Sequence, residues 1–152
     1  MRFDIGRVSP DAPDVAALLQ RHHSLMVSQS PPESCHALPG EALNSPDIWL
    51  FGLRSDAALL AVGAICVFPT YGEIKSMHTA AEARRVGAGR ALLAHLVEFA
   101  RTSGLSRLNL ETGSGQDHAA ARGLYATAGF AECPPFGDYA PDPFSVFMTR
   151  AL

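Results

Sequence analysis

The sharpest chemical signal in this chain is Arg84-Arg85-Val86-Gly87-Ala88-Gly89-Arg90. Glycines allow a backbone to approach a ligand closely, and the first N–H groups of a following helix have no partners within it. The helix dipole adds about half a positive charge at that end, which suits a phosphate or pyrophosphate. Three arginines in these seven residues, on a chain whose formal net charge is −3, strengthen the reading, since Arg binds phosphate oxygens bidentately. The plainer alternative is a helix start with a flexible turn and solvated arginines. The stretch is not a nucleotide P-loop, because no Gly-Lys-Ser/Thr follows, and the dinucleotide fingerprint would need a third glycine.

Other reactive side chains are scattered. Strand alternation puts Glu73, Lys75 and Met77 on one face and Ile74, Ser76 and His78 on the other. Lys75 would then pair with Glu73 and hold it ionised, unless the two are an ordinary ion pair on a strand surface. His22-His23 and Cys35-His36 lack the spacing of metal ligands, so no metal site is expected. Residues 30–38 carry Glu33 and His36, while Phe136-Gly137-Asp138-Tyr139 and Asp142 supply further acids and aromatics. That mixture suits a cationic amine by charge and cation–π attraction, against the alternative of Pro-rich connections with exposed polar groups. No Ser-His-Asp or Cys-His nucleophile is legible. The odd number of cysteines, Cys35, Cys66 and Cys133, argues against a disulfide framework and for a reducing, cytoplasmic setting.

These groups need a scaffold. At 152 residues, with 47% apolar and 18% charged, the chain is expected to fold as one domain over 1–152 with one core. The net negative charge argues against general affinity for nucleic acid or anionic membranes. The longest apolar run, 57–69, contains glycine and reads as a buried strand, not a membrane span. Met1-Arg2-Phe3-Asp4 is acidic too early for a signal peptide. A first strand is predicted over 2–8 and a helix over 10–28, with Ser9 as N-cap and Pro10 at the first helical position. Four prolines and a glycine make 30–46 irregular. Strands follow at 48–53, 59–68 and 71–79, with Arg54-Ser55-Asp56 as a hairpin turn. Leu92, Leu93, Leu96, Val97 and Ala100 stripe a helix that Gly104 closes. A strand over 105–110, a helix over 117–128 stopped by Gly129, and a strand over 144–152 complete the chain. With one more strand between the last helix and the strand over 144–152, the order β-α-loop-β-β-β-α-β-α-β-β is that of an α/β layer structure with a mixed sheet.

At this point the sequence resembles the GNAT N-acetyltransferases. Their acetyl-CoA motif, Gln/Arg-x-x-Gly-x-Gly/Ala at a strand-to-helix turn, stands here as Arg84-Arg85-Val86-Gly87-Ala88-Gly89. Leu124-Tyr125-Ala126-Thr127-Ala128-Gly129-Phe130 is similar to the family's Leu-Tyr-x-x-x-Gly-Phe segment. The likeness is firm over 49–130 and extends plausibly to the whole chain. Ser30-Pro31-Pro32-Glu33-Ser34, Gly72-Glu73-Ile74-Lys75-Ser76-Met77, Leu110-Glu111-Thr112-Gly113-Ser114 and Phe136-Gly137-Asp138-Tyr139 resemble a group of small, poorly characterised bacterial members.

The resemblance implies a single-domain GNAT-like α/β fold. Its mixed, mostly antiparallel sheet would have central strands splayed around acetyl-CoA and helices on both faces. It implies that main-chain N–H groups of 86–90 hold the CoA pyrophosphate, flanked by Arg84, Arg85 and Arg90. Pantetheine would lie where the strand ending at Met77, His78 and Thr79 splays from the strand around Leu108 and Glu111. Tyr125 would be the acid for the leaving thiolate, unless it is simply a core aromatic. Glu73 would be the base, since it precedes Arg84 by the offset (84 − 73 = 11) of the strand glutamate in the family's histone-acetylating branch. Glu111, acting through water, is the second choice for the base, and His78 is a relay candidate or a polar strand-end residue. Glu33, His36, Lys75, Thr112 and Tyr139 are the acceptor-side candidates. The implied reaction is direct acetyl transfer to a primary amine of a small molecule or peptide. The competing readings are a non-catalytic acyl-CoA sensor and a different phosphate-binding enzyme. Family habit alone would make the protein a homodimer.

Overall fold

A computed structural model describes residues 2–36 and 38–152. Seven strands form one sheet in the order β1-β2-β3-β4-β5-β7-β6: β1 Asp4–Arg7, β2 Ile48–Ser55, β3 Ala58–Val67, β4 Tyr71–Thr79, β5 Arg107–Gly113, β6 Ala131–Cys133 and β7 Ser145–Ala151. Every neighbouring pair is antiparallel except β4–β5. The helices are α1 Pro13–Gln29, α2 Ala88–Thr102 and α3 Ala119–Thr127. Among the described residues no helix is long and apolar enough to cross a membrane.

Strand alternation divides the core in two. Phe51, Leu53, Ile65 and Ile74 face α2 and the apolar side of α3, whereas Ile48, Leu50, Val62 and Ala64 face α1. Helix α2 buries Leu92, Leu93 and Leu96 at 1% exposure or less. Burial of such a side chain is worth about 1.5–3 kcal/mol, so this stripe fixes the helix on the sheet. The predicted helices on both faces and the mixed, mostly antiparallel sheet are therefore present.

Three local expectations are corrected. Helix α1 starts at Pro13, with Ala12 as N-cap, and not at Pro10. Ser9 instead closes a turn, accepting the Ala12 N–H on its carbonyl (3.2 Å) and the Asp11 N–H on its hydroxyl (3.1 Å). The second proline offers the same preset φ one turn later. The hairpin turns on Asp56 and Ala57, both at positive φ (49° and 69°), and β2 runs through Ser55. Two left-handed residues match the twist of a tight hairpin even without glycine.

The third correction concerns β4. Val62 pairs with His78 but Ala64 pairs with Lys75, so an extra residue is inserted opposite Gly63, and Ser76 there has φ 55°. A bulge shifts the side-chain phase of everything beyond it. Met77 therefore turns toward α2, where its sulfur would lie 2.9 Å from a Cβ on Gly63. His78 joins Glu73 and Lys75 on the α1 face. The even alternation expected for 73–78 holds only as far as Lys75.

Candidate active site

The parallel ladder between β4 and β5 ends at Ile74↔Leu110. Beyond that rung the strands separate, as expected around Met77, His78 and Thr79. The opening leads into a cleft of about 1060 Å³ that is walled by α1, the bulged end of β4, the end of β5, the start of α2 and the first turns of α3.

One end of the cleft is the glycine turn. Arg85 (φ 69°) and Gly87 (φ 87°) take left-handed conformations and swing the chain into α2. Among the described residues no side chain caps this helix, and its first bond runs from the Ala91 N–H to the Gly87 carbonyl (3.0 Å), leaving the N–H groups of Ala88, Gly89 and Arg90 ahead of it. A Cβ on Gly89 would come within 3.1 Å of Thr79 Oγ1, so glycine lets the helix start lie against the end of β4. Arg84, Arg85 and Arg90 line the same end with Ala88, Met77 and Thr79, while Val86 points outward and is 42% exposed. A helix start with no side-chain cap among the described residues, with Arg84, Arg85 and Arg90 on the lining beside it and no side chain at Gly87 or Gly89, fits a pyrophosphate. The chain's own residues thus fit coenzyme A.

Deeper in the cleft, His78 does not stand free as a relay. Its Nδ1 lies 3.1 Å from Nδ1 of His22, which α1 brings in nearly buried. One imidazole must donate and the other accept, so the two cannot both be protonated while this bond stands. Burial, reinforced by the neighbouring imidazole of His78, pushes His22 down to about 4, and burial also lowers His78. Only the buried stripe of α1 foreshadows this pair.

The carboxylates fall into different surroundings. Glu73 is 6% exposed and tied down: Tyr139 Oη donates to its Oε2 at 2.5 Å and Lys75 Nζ at 3.3 Å, while Lys75 also donates to Tyr139 Oη at 2.8 Å. The Glu73–Lys75 pair exists but is buried, not a surface pair. Glu111 lies just past the last rung of the β4–β5 ladder, and among the described residues its carboxyl receives one bond, from Ser145 Oγ of β7 at 2.8 Å. Burial raises it to about 7, against the lowering effect of the Ser145 bond and the Lys75 charge. A carboxyl that is half ionised near neutral pH is suited to accept a proton.

Tyr125, on α3, lines the cleft and packs edge-on to Phe130 at 6.0 Å. It belongs to the core cluster as well as to the cleft wall, so it packs as a core aromatic while standing at the cleft. Burial, then the Glu111 charge, raises its phenol well above the ordinary value, which keeps the proton on oxygen at neutral pH.

Of the acceptor-side candidates, His36, Lys75 and Thr112 line the cleft. Tyr139 stands behind Lys75 and packs perpendicular to the His36 ring at 5.0 Å. Glu33 is exposed and outside the cleft. Two loops are joined at this end where Ser34 Oγ donates to Asp142 at 2.6 Å. Sequence reasoning passed over His118, whose ring lies so tightly over Gly113 that a Cβ there would fall 2.1 Å from it. Its position just before α3, facing the cleft, depends on Arg122, which binds the carbonyls of Gly113 and Gly115 at 2.6 and 2.8 Å. Among the described residues no cluster of His, Cys, Asp or Glu is arranged to hold a metal ion.

Comparisons with known proteins bear on the family and the fold. The acetyltransferase (GNAT) family model matches residues 15–130. The chain is 44% identical over 139 residues to the uncharacterized N-acetyltransferase YsnE of Bacillus subtilis, covering 91% of this chain and 92% of that one. It is 39% identical to the IAA acetyltransferase of Azospirillum brasilense, covering 97% of each. The PaiA N-acetyltransferase of Thermoplasma acidophilum, solved in complex with coenzyme A, superposes with a TM-score of 0.74 at 16% identity, over 100% of both chains.

Proposed function

The chain belongs to the GNAT acetyltransferase family and is an acetyl-CoA-dependent acetyltransferase, and from that premise we propose that it acetylates a primary amine on a small molecule or peptide by direct attack. Bound coenzyme supplies the activated acetyl group as a thioester. The N–H groups at 86–90, with Arg84, Arg85 and Arg90, hold its diphosphate, and the splayed main chain at Met77 and Thr79 receives its amide arm. Glu111 takes the proton of the incoming ammonium, whose ordinary pKa of about 10.4 leaves it charged at neutral pH. Tyr125 donates to the departing sulfur, a role that requires the phenol to keep its proton. Glu73 orients Lys75 and Tyr139 and does not take the proton.

The observation that carries this reading is the contrast between the two carboxylates. Glu73 is spent on two strong donors, whereas Glu111 has a single hydroxyl partner, is raised to about 7 and faces the cleft. None of the relatives supports a non-catalytic sensor. The test is release of free thiol from acetyl-CoA by purified protein across an amine panel. Thiol release that depends on the amine is expected; tight CoA binding without it would sink the reading.

A further inference from the structure

Resting on the acetyltransferase reading above, we propose that the acceptor is a free amino acid, its amine directed to Glu111 and its carboxylate held by Lys75. Lys75 follows Ile74 on β4 as Glu111 follows Leu110 on β5, and Ile74↔Leu110 is the last rung between them. The two side chains are thus the first past the fork, a cation on one lip of the wedge and a carboxyl on the other, and both line the cleft.

The Lys75 side chain is 15% exposed, so its charge is largely removed from water. An ammonium has three N–H groups. One goes to Tyr139 Oη at 2.8 Å and one to Glu73 Oε2 at 3.3 Å. Tyr139 spends its own proton on that same Glu73 oxygen at 2.5 Å, so the carboxylate's charge is shared and Tyr139 offers Lys75 only a lone pair. Among the described residues the third N–H of Lys75 has no protein acceptor. A mostly buried ammonium with a free donor is incomplete, and a ligand carboxylate completes it with charge.

Charge also argues against other acceptors. A diamine or basic peptide would bring a second cation against Lys75. A phosphate would bring a second negative charge toward Glu73 and Glu111, with a single ammonium in place of the arginine fork that suits it. Asp142 keeps its negative charge where Ser34 donates to it and acts on Glu111, so it adds to the attraction for the acceptor's ammonium at that lip, while His36 packs against Tyr139.

The experiment compares matched acceptors with the intact protein and acetyl-CoA: phenylalanine with phenethylamine, methionine with 3-(methylthio)propylamine, and each amino acid with its methyl ester. The free acid is expected to have a kcat/KM at least tenfold higher in one or more series. Lys75→Gln should cut that preference about tenfold or more through the acceptor KM, with the KM for acetyl-CoA little changed, and Lys75→Arg should restore part of it. Should every ester or decarboxylated amine serve as well as its acid, the inference is overturned while the acetyltransferase reading stands. A preference that survives intact in Lys75→Gln removes the role given to Lys75. If no amine of either kind releases thiol, both readings fall. Should Lys75→Gln not fold, the acceptor pairs with the unaltered protein still decide the matter.

Discussion

Glu111→Gln is expected to inactivate the enzyme and stabilise it in alkaline solution. In the folded protein the carboxyl is raised from 4.5 to about 7, chiefly by burial. The folded state therefore holds this proton more tightly than the unfolded chain does. Stability from this group is complete below pH 4.5 and is lost as pH rises through 7. At ~1.4 kcal/mol per tenfold change, the loss approaches ~3 kcal/mol above pH 8. Glutamine keeps an oxygen for the Ser145 hydroxyl but cannot ionise, so the variant avoids that loss. For a chain of this size, 1 kcal/mol moves Tm by about 2–4 °C, so the variant should melt about 6 °C or more above the parent at pH 8.5, the gap narrowing to about 2 °C near pH 5. Turnover should fall by about 10²–10⁴, the ordinary contribution of a general base, and the parent's kcat/KM should drop about tenfold per pH unit below 7. Thermal melts from pH 5 to 8.5 and thiol-release kinetics provide both measurements. Equal melting temperatures at pH 8.5 would show the carboxyl to be well solvated. A clear Tm gain with an undiminished rate would leave Glu111 strained but idle.

Three further outcomes follow from the same geometry. Tyr125→Phe should lower kcat about tenfold or more while CoA affinity, measured by calorimetry, stays within about twofold, because only the donated proton is removed; an unaltered rate would return Tyr125 to the core alone. Gly89→Glu should weaken CoA binding by tenfold or more, since its Cβ would crowd Thr79 at 3.1 Å and its carboxylate would face the diphosphate; unchanged affinity would move the cofactor away from this turn. His22, lowered from 6.5 to about 4, contributes stability that is present above pH 6.5 and lost as pH falls through 4, up to ~3 kcal/mol. In the Glu111→Gln background, where nothing opposes it, melting temperature should rise steadily between pH 4 and 6.5, and His22→Phe should flatten that slope.

The opposed titrations of Glu111 and His22 mark the boundary of what the sequence makes legible. Elements written in local chemistry can be read directly. The apolar stripe of α2, the glycines at positions 104 and 129 with φ 83° and 94°, and the glycine turn with its arginines all declare themselves within a few residues. What decides the chemistry is longer in range. His22 meets His78 across 56 positions, Tyr139 reaches Glu73 across 66, and Ser145 reaches Glu111 across 34. No periodicity announces such meetings, so Glu73, placed by its offset from the cofactor turn, outranked Glu111 in the sequence reading.

The bulge at Ser76 shows why that ranking could not be repaired locally. Nothing in Glu73-Ile74-Lys75-Ser76-Met77-His78 marks an inserted residue, because a serine in the left-handed region carries no glycine signature. Its effect is nonetheless decisive. It turns Met77 into the α2 core and His78 toward α1, so β4 cannot continue alongside β5 past the rung at Ile74. The parallel pair in an otherwise antiparallel sheet has no hairpin to hold its far end, and the fork opens there. Glu111 and Lys75 are the first side chains beyond it, withdrawn from water yet without a strand partner across the gap. A carboxyl raised to about 7 and an ammonium with one N–H unpaired among the described residues are both consequences of that one interruption.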